Sequence, residues 1–182
     1  MSQITLHNQT AYIAQYIINK GQQIIARLPG LAPQATLSVP VEHIYEVVAT
    51  TIVDGNTYTS APATISGATS FLAQIKQNAQ QGTYDFEMVV GPSSKGDELQ
   101  FQKTTLAPVT FTISENGRAL QSIVVTDSFM VQTLQISDTY SIYAVINGVT
   151  TDTVTTNNPN ATVSAVTDTT DLAPGYFTLV VS

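Results

Sequence analysis

Three dipeptides limit most strongly what this chain can become. Asp54-Gly55, Asn116-Gly117 and Asn147-Gly148 each stand between runs rich in Val, Ile, Thr and Tyr. A type I′ turn needs positive φ at both central residues, which Asn, Asp and Gly tolerate, so each dipeptide marks a β-hairpin. The first follows "IYEVVATTIV" (44–53). The second joins "VTFTIS" (109–114) to "RALQSIVV" (118–125), and the third joins "YSIYAVI" (140–146) to "VTTDTVT" (149–155). "QITLHN" (3–8), "ATLSVPV" (35–41) and "FMVQTLQI" (129–136) alternate apolar and polar residues, the period of a strand with one buried face. Pro40 points to an edge or a strand end. Gly21 supplies the bend between 11–18 and 23–28. The chain is expected to be all-β.

One stretch departs from that grammar. In "SFLAQIKQNAQQG" (70–82), Phe71, Leu72, Ile75 and Ala79 share one helical face, Ser70 can cap the start and Gly82 the end. The spacing predicts a short helix over 70–81.

The chain also repeats itself. "ATISGAT" (63–69) returns as "ATVSAVT" (161–167), and Ile44-Tyr45 and Ile142-Tyr143 each lie 19 residues before their copy. Thr36-Leu37-x-Val39 matches Thr133-Leu134-x-Ile136, and the run from Tyr84 to Val90 resembles the one from Phe177 to Val181. The shared order predicts two tandem immunoglobulin-like β-sandwich domains of about seven strands each. Domain one is placed at 1–103 and domain two at 104–182, with the junction in the Gly/Pro/Ser-containing stretch 90–108. Tyr45 and Tyr143 fall at matching positions of this alignment, which predicts a shared packing role.

Only 10% of the residues are charged, against about 25% in an average soluble protein, while 43% are hydrophobic. That balance excludes a disordered chain. The net charge is −7, and six cations scattered along the sequence cannot track a phosphate backbone or an anionic bilayer, so nucleic acid and charged membrane surfaces are not expected partners. No apolar run reaches the roughly 20 residues of a membrane span. The first 21 residues lack a basic region before an apolar one and do not read as a secretory signal.

Chemistry is sparse. With no cysteine, the chain has neither thiolate nucleophile nor disulfide. His7 and His43 are the only histidines, and neither stands in a catalytic pattern; Glu42 and Glu46 are the carboxylates near His43. No phosphate-binding glycine loop occurs, since "GPSSKG" (91–96) lacks the required spacing. Neither an enzyme nor a cofactor is expected. Asp168 and Asp171 in "DTTD" are weak calcium candidates, because calcium takes loop carboxylates, but the full loop pattern is missing. Asn8-Gln9-Thr10 and Asn160-Ala161-Thr162 are glycosylation triplets of the kind a Thr-rich chain produces by chance.

Two functions of different class remain. Short sandwiches expose sheet edges, and this chain has few charges with which to guard them. The terminal strands, carrying Ile4 and Leu6 at one end and Phe177, Leu179 and Val181 at the other, are candidate assembly strands. They predict a structural subunit of a filament, surface fibre or coat, extracellular or surface-associated, whose partner is itself through strand donation. The alternative is a carbohydrate-binding or adhesin module with glycan contacts at Tyr58 and Asn158.

Overall fold

The computed structural model describes residues 1–42, 44–170, 172 and 175–182. Among the described residues the chain is all-β and contains no helix. In chain order the strands are β1 (Gln3–Asn8), β2 (Ala14–Lys20), β3 (Gln23–Arg27), β4 (Thr36–Pro40), β5 (Glu46–Val53), β6 (Asn56–Thr59), β7 (Ala63–Thr64), β8 (Thr69–Asn78) and β9 (Thr83–Pro92). They continue as β10 (Glu98–Lys103), β11 (Val109–Glu115), β12 (Arg118–Val125), β13 (Gln132–Gln135), β14 (Tyr140–Ile146), β15 (Val149–Thr150), β16 (Val154–Thr156), β17 (Thr162–Thr167) and β18 (Phe177–Val181). The three turns form as their dipeptides require. Asp54 and Gly55 have φ of 51° and 79°, Asn116 and Gly117 of 49° and 77°, Asn147 and Gly148 of 51° and 76°.

The strands pack into two compact units. The first joins Met1–His43 to Ser137–Ser182, and the second is Ile44–Ile136. The first unit has one sheet ordered β18-β17-β1-β4 and another ordered β15-β14-β2-β3, with β16 also on β14. Its core is built from both chain segments: Ile4, Leu6, Tyr16 and Ile18 from the first, Ile142, Ala144, Val163 and Ala165 from the last, all fully buried. The Tyr16 hydroxyl on β2 donates to the His7 carbonyl on β1, tying one sheet to the other. The second unit has sheets ordered β13-β10-β8-β9 and β12-β11-β5-β6, with β7 also on β5. Phe101 of the first sheet stacks on Phe71 at 5.4 Å and meets Phe111 of the other sheet at 5.2 Å.

This division differs from the expected 1–103 and 104–182. The reason is pairing: β1 lies parallel to β17, and β10 lies parallel to β8. The helix predicted over 70–81 is also absent. Its span belongs to β8, where Thr69, Phe71 and Ala73 are buried and the residues between them are not, the period of a strand. Neighbours on both sides of β8 supply backbone partners that a helical face could not use.

The two units repeat one nine-strand plan in a register other than the one read from the sequence. Tyr16 opposes Ala144, and Phe111 opposes Ala49, so β11 follows β2 and β14 follows β5 by 95 residues. Both hairpins carry an irregularity at the same place, after Ile18 in β2 and after Ile113 in β11. Ser60 Oγ accepts from the Ala49 amide and donates to the Ala61 carbonyl; Thr151 Oγ1 does the same with Ala144 and Asp152. In this register Tyr45 corresponds to Tyr140, both buried, and not to Tyr143. Each repeat therefore runs as four strands followed by five. The first four of one repeat pack with the last five of the other.

Candidate functional site

A cleft in the second unit, about 290 Å³, is lined by Val53, Asp54, Tyr58, Ile75, Tyr84 and Phe86. Local sequence explains each part. The Asp54-Gly55 turn places Asp54 at one rim and returns the chain along β6, which carries Tyr58. Thr83–Pro92 pairs with β8 over its whole length, and its alternation sets Tyr84 and Phe86 on one face. Tyr84 is 64% exposed and Ile75 39%. Two phenol rings, a phenyl ring and one carboxylate around a shallow cleft offer apolar ring faces and polar rims together. Tyr58 was expected from the sequence; Tyr84 and Phe86 were not. The alternation of "YDFEM" (84–88) is the sequence signal that points to them.

Asn158 belongs to the other unit and does not join this cleft. Its Oδ1 accepts the Asn160 amide at 3.0 Å, an ordinary turn use of the side chain. Asp168 is employed in the same way: its Oδ1 accepts from Thr170 Oγ1 at 2.6 Å and from the Thr170 amide at 3.0 Å. These bonds from Thr170, the side chain first, hold the Asp168 carboxyl below its usual range. Asp171 and His43 lie outside the described residues. Among the described residues no three metal-ligating side chains gather. His7 Nδ1 lies 3.2 Å from Gln9 Nε2, an exposed polar pair.

The five candidate assembly residues fall in different settings. Ile4 and Leu6 are fully buried on β1, which has β4 on one side and β17 on the other. Phe177 and Leu179, each 6% exposed, face the core from β18, and Val181 is half-buried. Strand β18 ends its sheet, and Val180 is the residue it turns outward, 50% exposed. Neither β18 ("FTLVV") nor β4 ("TLSVP") at the opposite edge has a charged residue.

A second exposed feature lies at one end of the second unit. Leu106 and Phe129 are 98% and 97% exposed, with Met130 and Val131 beside Phe129. Buried Lys103 fixes both loops: its Nζ donates to the Thr105 carbonyl at 2.7 Å and to Ser128 Oγ at 3.1 Å.

No known family model, curated protein or solved structure matches the chain. Among the described residues no helix is long and apolar enough to cross a membrane.

Proposed function

We propose that the protein is a non-enzymatic structural subunit that assembles with copies of itself into a filament, surface fibre or coat, each of its two units being an immunoglobulin-like sandwich. The observation that carries this reading is the sheet β18-β17-β1-β4, whose two edge strands have no charge between them. An edge strand presents unpaired N–H and C=O groups, and Lys, Pro, a bulge or an inward charge is the usual guard against pairing with another chain; β4 ends in Pro40, whereas β18 has no proline. On β18 there is also no irregularity in the ladder to turn the edge away. The exposed apolar loops around Leu106 and Phe129 add a surface of the kind found at interaction sites. An extracellular or surface location belongs to this reading.

The test is size against concentration, by light scattering with negative-stain microscopy. Growth into extended particles is expected as chains are concentrated or refolded together. A mass of 19.4 kDa at every concentration would falsify the proposal.

The cleft favours a second reading, a carbohydrate-binding or adhesin module. Its aromatic lining suits the apolar face of a sugar ring, and Asp54 with the Tyr58 and Tyr84 hydroxyls suits its rim. A glycan array followed by calorimetry on any hit separates this reading from purely structural use.

A further inference from the structure

One unit of this molecule is covalently continuous and the other is not. In the second unit all nine strands follow one another in the chain. In the first, among the described residues, four strands come from Met1–His43 and five from Ser137–Ser182, and the covalent path between the segments runs through the whole of the second unit. We infer that this split unit is the joint of assembly: the β1–β4 half of one chain closes against the β14–β18 half of the next. The inference rests on the self-assembly reading and says which piece is exchanged.

The seam between the halves is extensive. It consists of the parallel ladder from Thr5–Thr162 to Asn8–Ala165 and the antiparallel ladder from Ala14–Ile146 to Lys20–Tyr140. The Ala165 amide donates to the Tyr16 hydroxyl at 3.1 Å, and the Gln3 amide donates to Asn160 Oδ1 at 3.2 Å. Each half alone exposes one sheet edge of every ladder and an apolar face containing Leu6 and Tyr16 or Val163 and Ala165. The halves are complementary to one another and unlike themselves. A chain opened at this seam therefore carries two different ends, and head-to-tail joining of unlike ends gives a closed ring where the rotation between copies closes and an open filament where it does not.

Closure within a chain and closure between chains make the same contacts. Their balance is set by chain connectivity and concentration. A tethered partner acts at an effective concentration of order mM, so dilute chains close on themselves and crowded or co-folding chains exchange. The chain already shows the same exchange internally, since each unit is made from the first four strands of one repeat and the last five of the other. A single donated terminal strand is a poorer fit, because β1 is held on both sides by neighbours.

The experiment uses the absence of native cysteine. Gln15→Cys with Val145→Cys places a thiol pair across β2 and β14, one residue on each segment and both off the buried face. Thr5→Cys with Ser38→Cys places a control pair across β1 and β4, inside one segment. Full-length chains are unfolded, refolded together at high concentration, sized by light scattering, oxidised, and run on a non-reducing denaturing gel. Assembled Gln15/Val145 chains are expected to give a ladder in multiples of 19.4 kDa, while the control stays at 19.4 kDa. Dilute Gln15/Val145 chains are expected to give only internally bridged monomer, which shows that the thiols meet. Should they not meet, Asn19→Cys with Ser141→Cys, opposed on the same ladder, takes their place. Assemblies whose seam thiols bridge only within single chains overturn the exchange and leave self-assembly standing. Absence of any assembly overturns both.

Discussion

The Tyr16 hydroxyl accepts the Ala165 backbone amide at 3.1 Å across 149 positions of sequence. The same hydroxyl donates to the His7 carbonyl at 2.9 Å. One side chain on β2 thereby holds β1 and β17 of the opposite sheet, drawing on both segments of the split unit. Tyr16→Phe leaves both strand groups without this partner, the Ala165 amide in a buried setting. A loss of about 1–3 kcal/mol is expected, read from urea unfolding.

That contribution has a pH limit. Burial pushes the Tyr16 hydroxyl up to about 12, against a partial lowering by the Ala165 amide. The unfolded tyrosine ionises first, near its ordinary value of about 10. The stabilisation is therefore complete below pH 10 and is lost as pH rises from 10 through 12. Unfolding of the native chain and of Tyr16→Phe compared at pH 8 and pH 11 should show their free-energy gap shrinking at the higher pH.

Phe101 stands between Phe71 and Phe111 with no exposure, while the matching place in the other unit is held by Leu6. Phe101→Ala removes both ring contacts and leaves a cavity, a cost of about 3–5 kcal/mol. Hydrogen exchange should show protection falling in β8, β10 and β11 while β1, β2 and β17 keep theirs.

Two glycines with positive φ separate backbone strain from collision. A Cβ at Gly148, φ 76°, meets nothing within 4 Å, so Gly148→Ala is expected to cost about 1 kcal/mol from conformation alone. A Cβ at Gly175, φ 69°, would lie 2.7 Å from the Val149 side chain. Gly175→Ala should lower the melting temperature further than Gly148→Ala.

If the aromatic cleft holds a sugar, Tyr84 is the most exposed of its rings. Tyr84→Ala is then expected to weaken binding at least tenfold by calorimetry, with unfolding free energy changed by less than about 0.5 kcal/mol, as for other surface substitutions. An unchanged affinity would place any glycan elsewhere.

Much of the fold was legible because its signals are local. Asp54-Gly55, Asn116-Gly117 and Asn147-Gly148 dictate their own turns, and alternation in 3–8 and 140–146 dictates which face is buried. The span 70–81 misled because Phe71, Leu72 and Ile75 satisfy a helical face as well as part of a strand. Pairing with β9 and β10 decided between them. The cleft was half legible: Tyr58 lies beside its turn, whereas Tyr84 and Phe86 come to it only through the β8–β9 ladder.

What the sequence determined alone is an all-β chain with defined hairpins and a plan stated twice. What only the tertiary structure decided is which copy of each half pairs with which. Strand β1 presents the same alternation whether its neighbour is β8 or β17, so no local pattern distinguishes them. The choice lies in long-range pairing, β1 with β17 and β8 with β10, a property of chain path and not of any residue's own preference.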